Sequence, residues 1–413
     1  MTRKLSFAPW LTAPETVRVM DALDAARPGA SRFVGGCVRN AVMGRAADDI
    51  DIATQLLPEQ TVAAAKAAGL AAHPTGIEHG TVTLVCQSKP FEVTTLRRDV
   101  STDGRRASVA FTEDWAEDAQ RRDFTLNALY ADRDGVIHDP TGSGVADALA
   151  GRVVFIGDAD RRIAEDYLRI LRFFRFSAWY GRGGLDGEGL AACARGVPGM
   201  AQLSAERIWK ELKKLLAASD PRGALQGMAE AGVHAAVWPM ASRLERLSAL
   251  IGLEAEAFLA ADPLRRVAAS LPDLAAAQAL CGRMKASNEE RDRLYAAHRP
   301  AGRIVSFMSL REVRRTLYRL GTEAFLDQAA LAWAEDPRER ATPQWRALMA
   351  LAQGWRRPEL PLTGAQVLAA GVPAGPLVGE VMREVEDWWI DADFIDDPLS
   401  IAERLKAVVQ GLC

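Results

Sequence analysis

The chain has 413 residues, of which 49% are hydrophobic and 25% are charged, and this balance is that of an ordinary globular protein. With 51 basic and 54 acidic side chains the net charge is only −3, which excludes a bulk polycation but leaves room for a local basic surface. No run reaches the roughly 18 apolar residues of a membrane span, and residues 1–9 do not resemble a secretory signal. Because the five cysteines are also scattered and lack metal-ligand spacing, we expect a cytoplasmic protein without a membrane partner.

The first third of the chain alternates short β-rich runs with helical patterns. Runs rich in Val, Ile and Thr predict strands, and polar or Gly-rich stretches predict loops and turns. The predicted elements are strands over residues 31–36, 50–53, 81–86 and 91–95, a helix over 38–43, a mobile loop over 99–118, a strand or helix start over 126–132 and turns over 139–144. From about residue 160 apolar residues recur at three- and four-residue spacing, which is typical of helices. The sequence therefore predicts a small α/β head followed by a long all-helical remainder.

Residues 34–54 hold the first group of candidate functional residues. Gly35 and Gly36 stand between a predicted strand and a predicted helix, where a glycine pair lets the backbone approach a triphosphate closely. Asp49 and Asp51 are separated by one residue, so on a strand both carboxylates project from the same face. Mg²⁺ prefers a few carboxylates together with phosphate oxygens, which suits phosphoryl transfer. An Asp-x-Asp pair alone is more often a solvated acidic turn, and the preceding glycine turn favours the metal-binding interpretation.

Two further groups extend the candidate site. Glu92 lies in a strand pattern. It is either a solvent-facing strand residue or, beside the Asp-x-Asp strand, a third carboxylate and the base that activates an incoming hydroxyl. The run Arg121, Arg122 and Asp123 adjoins apolar residues and suits a rim that grips phosphate or ribose, while the alternative is a surface Arg–Asp pair that caps a helix.

A charged stripe is predicted on the helix that begins near residue 165. Its members share a three-residue spacing and are Asp166, Arg169, Arg172 and Arg175. Residues at this spacing on one helix form a slowly rotating row. Asp and Arg present complementary acceptors and donors that can read the edge of a nucleobase. The structural alternative is an exposed face of ion pairs.

Taken in order, the motifs GG-x-V-R, D-x-D, FEVTT, RRDFT-x-NA and ED-x-x-R resemble those of class II tRNA nucleotidyltransferases, the family of CCA-adding enzymes and bacterial poly(A) polymerases. They cover residues 32–176, and weaker similarity continues through residues 203–212 and 362–379. The resemblance implies an α/β nucleotidyltransferase head of the polymerase beta-like kind, followed by all-α neck, body and tail domains. The expected domains are the head over residues 1–140, a nucleotide-selecting neck over 141–220, a body over 221–310 and a tRNA-binding tail over 311–413.

The resemblance also implies roles for individual residues. Asp49 and Asp51 are expected to hold Mg²⁺, with Glu92 as a further catalytic carboxylate. Asp166 and Arg169 match the residues that pair with CTP or ATP like a protein template. The other expected nucleotide-binding positions are Gly35, Gly36, Arg39, Arg121, Arg122, Asp123, Arg172 and Arg175.

One loop and one departure from the family pattern complete the comparison. The residues Asp103, Gly104, Arg105 and Arg106 resemble the flexible loop of the family, which is implicated in the switch from C to A addition. Asn40 stands where many members of the family have Asp. Since Asn keeps an acceptor oxygen and loses only the charge, we expect the turn to survive.

The expected function is template-independent addition of C, C and A to the 3′ end of tRNA from CTP and ATP, with release of pyrophosphate and with no protein partner implied. A poly(A) polymerase, or a specialist that adds only C or only A, shares the head motifs and stays open as an alternative. Two weaker alternatives come from other classes. A non-catalytic RNA-binding protein is disfavoured because the carboxylates are all retained. An antibiotic-modifying nucleotidyltransferase is disfavoured because it leaves the helical half of the chain without a role. The Walker-A pattern and the third glycine of a dinucleotide fingerprint are absent, which excludes P-loop and Rossmann sites.

Overall fold

The computed structural model of the protein describes residues 3–5, 8–47, 49–103, 106–299, 302–336, 338 and 341–411, with the backbone alone for 99–103 and 106–109. The chain divides into two compact units, Met1–Pro239 and Met240–Cys413. All strands of the described residues belong to the first unit, and none lies beyond residue 138. The predicted change to an all-helical chain near residue 160 is therefore confirmed.

The elements of the first unit are nine strands and eleven α-helices within the described residues. The strands are β1 (Ser31–Val34), β2 (Asp51–Thr54), β3 (Ala71–Gly76), β4 (Thr81–Cys86), β5 (Lys89–Thr95), β6 (Arg97–Asp103), β7 (Arg106–Phe111), β8 (Tyr130–Ala131) and β9 (Ile137–His138). The helices are α1 (Pro14–Ala26), α2 (Gly36–Val42), α3 (Pro58–Ala67), α4 (Trp115–Gln120), α5 (Gly144–Ala150), α6 (Ala159–Glu165), α7 (Leu168–Tyr180), α8 (Gly187–Gly196), α9 (Ala205–Leu216), α10 (Arg222–Glu230) and α11 (Val233–Val237). Short 3₁₀ turns occupy Pro9–Leu11, Ile77–His79, Thr125–Asn127 and Val197–Gln202.

Seven of the strands form one mixed sheet in the order β3-β4-β5-β2-β1-β8-β9, while β6 and β7 form a separate hairpin. Neighbours in the larger sheet are antiparallel except β2 and β5, which run parallel. β2 is a central strand, and its residues 52–54 are almost completely buried, as a strand covered on both faces requires. The parallel pair places Asp51 directly opposite Glu92.

The predicted strands over 31–36, 50–53, 81–86 and 91–95 are confirmed as β1, β2, β4 and β5, and the helix after the glycine pair is confirmed as α2. The predicted loop over 99–118 is wrong. β6 and β7 pair from Arg97↔Phe111 to Asp103↔Arg106, and α4 follows them. Because these two strands bond to each other and not to the larger sheet, they do not need the alternating apolar face that reveals a core strand in a sequence.

Helix α7 carries the predicted nucleotide-selecting arginines. Its buried residues are large and apolar: Leu168, Ile170, Leu171, Phe173, Phe174 and Phe176. The helix packs against α9 and α10, and Phe173 stacks on Phe155 with the ring centroids 5.5 Å apart. The prediction that Asp166 belongs to the same helical stripe is wrong, because α6 ends at Glu165 and α7 begins at Leu168.

The described part of the second unit consists of ten α-helices. They are α12 (Leu244–Leu253), α13 (Pro263–Ser270), α14 (Leu274–Met284), α15 (Asn288–His298), α16 (Leu310–Leu320), α17 (Thr322–Ala334), α18 (Thr342–Gln353), α19 (Gly364–Ala369), α20 (Pro376–Asp391) and α21 (Pro398–Gly411). Capping boxes start α15, α16 and α19, so the first free N–H groups of these helices are bonded by side chains. No helix among the described residues combines the length and the apolar character needed to cross a membrane.

Candidate active site

Asp51 and Glu92 project from the same face of adjacent parallel strands. They are register partners in the β2–β5 pair, and residues in register on neighbouring strands share a face of the sheet. Asp49 lies two residues before Asp51, and both Asp49 and Glu92 are exposed. Burial, and then the negative charges of Glu92 and Asp49, raise the pKa of Asp51 to about 6, while the positive charge of Arg122 opposes this shift. Asp49 and Glu92 therefore lie close enough to Asp51 for their negative charges to affect its ionisation.

The chemistry of this site fits a divalent cation. Carboxylate oxygens are the donors that hard cations prefer, and a cation relieves the repulsion that raises the pKa of Asp51. Over the residues that the structure describes, no three His, Cys, Asp or Glu side chains are grouped closely enough to hold a metal ion. Asp49 and Asp51 thus suit a cation whose remaining ligands are oxygens of a bound substrate, and Glu92 is their neighbour without completing a ready-formed cluster.

The glycine turn lies next to Asp51 because of the sheet register. Val34 pairs with Asp51 across β1 and β2, and the turn at Gly35 follows immediately. Gly35 has a φ of +70° and a ψ of −120°, a conformation that favours glycine, and α2 begins at Gly36. A Cβ atom built at Gly35 lies 3.7 Å from Nη1 of Arg122. The structure therefore brings together Gly35, Arg122 and the acids, as the sequence predicts.

Asp118, which the sequence analysis did not single out, fixes both arginines of the Arg121–Arg122 pair. Its carboxylate is buried and accepts hydrogen bonds from Nε of Arg121 at 2.8 Å, from Nη2 of Arg122 at 3.0 Å and from the Tyr130 hydroxyl at 2.7 Å. Burial alone would raise the pKa of Asp118, but the charges of Arg122 and Arg121 outweigh it and lower the pKa to about 2. The only signal in the sequence is that Asp118 precedes the two arginines by three and four residues, which is the spacing of neighbours on a helix.

Asp123 and Arg39 lie inside the protein and are joined through Asn127. Asp123 accepts a hydrogen bond from Nδ2 of Asn127 at 3.0 Å, and Asn127 Oδ1 accepts one from Nη1 of Arg39 at 2.6 Å. Arg39 also donates to Asn40 Oδ1 and to the hydroxyl of Tyr180. These contacts hold Arg39 beneath the glycine turn with protein groups as partners, and its direct contact with a triphosphate stays a prediction. Asn40 keeps the acceptor that the sequence analysis expected, and its Nδ2 donates to the Ala46 carbonyl at 2.9 Å.

Each residue of the predicted stripe is bonded to a partner that the stripe itself does not contain. The pairs are Asp166 with Arg207 at 2.7 Å, Arg169 with Glu165 at 2.5 Å, Arg172 with Asp123 through Nε at 2.8 Å, and Arg175 with Glu211 at 2.6 Å. Arg207 and Glu211 lie on α9, in the segment 203–212 that carries the weaker family similarity. The structure therefore brings these residues to one region. The backbone N–H of Arg169 donates to the Asp166 carbonyl at 2.9 Å, while the two side chains bond to Glu165 and Arg207 respectively.

The predicted flexible loop corresponds to the end of the β6–β7 hairpin. Asp103 and Arg106 are its last register partners. Gly104 and Arg105 lie outside the described residues, so the role assigned to these four residues stays a prediction.

Two known families match parts of this chain, and related proteins match most of its length. Residues 31–154 match the family described as poly A polymerase head domain, and residues 185–244 match the one described as probable RNA and SrmB-binding site of polymerase A. A protein of Danio rerio named CCA tRNA nucleotidyltransferase 1, mitochondrial, is 32% identical over 375 residues, which cover 87% of this chain and 83% of that protein. A CCA-adding enzyme of Streptococcus pneumoniae is 31% identical over 385 residues, which cover 91% of this chain and 92% of that enzyme.

A solved structure shows the same fold. The crystal structure of the Bacillus stearothermophilus CCA-adding enzyme in complex with CTP has a TM-score of 0.70 and 26% sequence identity, and the match covers 97% of this chain and 98% of that one. The prediction of a polymerase beta-like head followed by helical domains is confirmed.

Proposed function

This chain belongs to the class II family of CCA-adding tRNA nucleotidyltransferases and poly(A) polymerases, and we propose that it adds C, C and A to the 3′ end of tRNA from CTP and ATP. The observation that carries the proposal is the position of Asp51, opposite Glu92 on one side and next to the Val34–Gly35 turn on the other. The site thus combines acidic side chains, a glycine turn whose backbone a ligand can approach closely, and the guanidinium group of Arg122. These are the parts that transfer of a nucleotidyl group from a triphosphate requires.

The reaction follows from the chemistry of these groups. Nucleotidyl transfer of this kind uses a divalent metal ion. We assign Mg²⁺, which Asp49 and Asp51 would hold; it would neutralise phosphate charge and make the attacking hydroxyl more acidic. The 3′-hydroxyl oxygen of the tRNA bonds to the α-phosphorus while the bond from that phosphorus to the pyrophosphate oxygen breaks. Glu92 accepts the proton of the hydroxyl, and Arg122 stabilises the negative charge of the phosphates.

Selection between CTP and ATP is assigned to the segment that carries Asp166 and Arg169. A carboxylate acceptor and a guanidinium donor together match the mixed donors and acceptors of a nucleobase edge. In the structure the carboxylate is bonded to Arg207 and the guanidinium to Glu165. An incoming base therefore competes with these two ion pairs, and only a base whose hydrogen bonds replace both pairs is held well.

The proposal includes the organisation of the whole chain. We assign residues 1–140 to the head, 141–220 to the neck, 221–310 to the body and 311–413 to a tail that contacts tRNA. The match of residues 185–244 to an RNA-binding family supports RNA contact beyond the head. The free cysteines of the described chain, Cys37, Cys86, Cys193 and Cys281, are all buried, which supports a reduced compartment such as the cytoplasm.

A stepwise extension assay tests the function. Purified protein is incubated with tRNA that lacks its last three nucleotides, with CTP alone, with ATP alone and with both, and the products are sized on a sequencing gel. We expect two additions with CTP alone and one further addition when ATP is also present. Asp51→Asn is expected to abolish extension, while Asp134→Asn, the same change at an exposed head position outside the site, keeps it.

The same gel distinguishes the alternative activities. Extension without limit in ATP indicates a poly(A) polymerase, an activity that the matched head family also includes. Arrest after two C residues, or a single A added only to tRNA that already ends in CC, indicates a specialist. Full extension by Asp51→Asn contradicts the assignment of the metal site.

A further inference from the structure

A chain of hydrogen bonds, buried in its middle and half-buried at both ends, links the glycine turn to helix α7 at two points. Starting from the end of α7, the hydroxyl of Tyr180 accepts from Nη2 of Arg39 at 2.6 Å, and Nη1 of Arg39 donates to Oδ1 of Asn127 at 2.6 Å. Nδ2 of Asn127 donates to Oδ1 of Asp123 at 3.0 Å. Oδ2 of Asp123 then accepts from Nε of Arg172 at 2.8 Å, back on α7. The five side chains form one continuous polar path.

The path begins and ends on the same helix, while its middle belongs to the head. Tyr180 is the last residue of α7, and Arg172 lies eight residues before it, which is about 12 Å along a helix axis. Arg39 lies in α2, one turn after the glycine pair, and Asn127 and Asp123 lie between α4 and β8. Two points about 12 Å apart fix the direction of a helix as well as its position, so the path sets how α7 is oriented against the head.

The ring of Tyr180 strengthens the contact with Arg39. The guanidinium carbon of Arg39 lies 3.9 Å from the centroid of the Tyr180 ring, and that ring stacks on Phe176 at 5.7 Å. Phe176 also contacts the guanidinium groups of Arg172 and Arg175, with centroid distances of 5.3 and 4.3 Å. Arg39 is only 6% exposed, so loss of the Tyr180 oxygen leaves a buried charged donor without one of its acceptors, and water has little access to replace it.

We propose that Tyr180 is a positioning residue for nucleotidyl transfer, whose hydroxyl holds Arg39 and, through Asn127 and Asp123, sets the place of Arg172 relative to the glycine turn. This inference rests on the proposed function, in which the head holds the triphosphate and α7 faces the base of the same nucleotide. One nucleotide can contact the head through its triphosphate and α7 through its base only when the distance and the angle between the head and α7 are fixed. Tyr180 touches neither part of the nucleotide in this account; it acts through the path.

The test is Tyr180→Phe, which removes one oxygen and keeps the ring on Phe176. We expect the KM for CTP and for ATP to rise about fivefold, the KM for tRNA to stay within twofold, and misincorporation of UTP or GTP to increase. Tyr295→Phe, the same change in the second unit, is the matched control and is expected to leave all these values unchanged. Binding of CTP measured by calorimetry, without tRNA, provides a second measurement that does not depend on turnover.

A double variant separates action through the path from simple loss of stability. If Tyr180 acts through Asn127, Tyr180→Phe combined with Asn127→Ala raises the nucleotide KM no further than Asn127→Ala alone. Unchanged nucleotide KM and calorimetric affinity in Tyr180→Phe overturn the inference, and so do fully multiplicative effects in the double variant. Failure of the wild-type protein to extend tRNA overturns the proposed function instead, and the calorimetric comparison still decides the role of Tyr180.

Discussion

Replacing Asp118 by Asn tests whether a residue outside the motifs supports the site. Asp118 is 1% exposed, and its carboxylate accepts from Arg121, Arg122 and Tyr130 as well as from the backbone N–H of Arg97 at 3.2 Å. The pKa of Asp118 is lowered from 3.8 to about 2. Since each pKa unit corresponds to about 1.4 kcal/mol, the ionised form contributes roughly 2–3 kcal/mol to the free energy of unfolding at pH 7.

The sign of the pH dependence follows from the direction of this shift. A carboxyl group whose pKa is lower in the folded state stabilises the fold fully above its unfolded pKa, here about 4, and loses that contribution as the pH falls towards 2. The free energy of unfolding of Asp118→Asn is therefore expected to be lower than that of the wild type by roughly 2–3 kcal/mol at pH 7 and by about half of that at pH 3. Asn at this position keeps one acceptor oxygen but loses the charge and the second acceptor, so one of Arg121 and Arg122 faces an NH2 group instead of an oxygen. We therefore expect the nucleotide KM to rise about tenfold, the loss of about 1.4 kcal/mol of binding.

Urea unfolding at pH 7, 5 and 3, followed by circular dichroism, measures the first effect, and steady-state extension of tRNA measures the second. Asp134→Asn is the control for stability, because this residue is exposed in the same unit. A difference below about 1 kcal/mol at pH 7, or one that grows as the pH falls, refutes the role assigned to the buried carboxylate.

Three further predictions concern the turn and the acids. With a chelator present to remove metal ions, Asp51→Asn is expected to increase the free energy of unfolding at pH 8 by up to about 3 kcal/mol. The reason is that the pKa of Asp51 is raised to about 6, so its ionised form destabilises the folded state. This destabilisation disappears below pH 4, where the carboxyl group is protonated, and urea titrations at pH 8 and pH 4 measure the difference. Gly35→Ala is expected to lower the free energy of unfolding by about 1–3 kcal/mol because of its φ of +70°. It is also expected to weaken CTP binding, which calorimetry detects, because the strain changes the turn and not because the new Cβ, at an ordinary contact distance of 3.7 Å, displaces Arg122. Asn40→Ala removes an acceptor of Arg39 and is expected to lower the free energy of unfolding by about 1–2 kcal/mol, as thermal unfolding shows; Asn40→Asp, with the acceptor kept, loses less.

How far the fold follows from the sequence depends on where each strand lies in the sheet. β2 and β5 are central and carry dense β-branched or apolar residues, so their pattern is clear without the structure. β3 has the sequence AAHPTG and was not predicted; it is an edge strand, where a proline is tolerated because one side of the backbone has no neighbour to bond. The β6–β7 hairpin resembles a loop in the sequence because β6 is polar and the two strands bond to each other and not to the larger sheet.

Some features of the candidate site follow from the local sequence, while others depend on contacts between distant parts of the chain. The positions of Asp51 and Gly35 were predictable, because one follows from strand periodicity and the other from the conformations that only glycine adopts easily. Their meeting depends on the sheet order, which a single sequence does not determine. The partners Asp118 and Tyr180 carry no motif of their own, since any residue with a suitable oxygen at that place in space would serve.

The predicted charged stripe shows why residue spacing alone does not determine which charged side chains pair. A three-residue spacing predicts that Asp166 and Arg169 lie in one row on a single helix, yet the helix starts at Leu168 and the two side chains take different partners. Arg207 and Glu165 satisfy them because a half-buried charge without a partner is costly. A nucleotide base that binds here exchanges ion pairs for hydrogen bonds and gains only the difference between them. If Asp166 selects the base as proposed, selectivity depends on Arg207 as well, because Arg207 is the ion-pair partner that the base must replace.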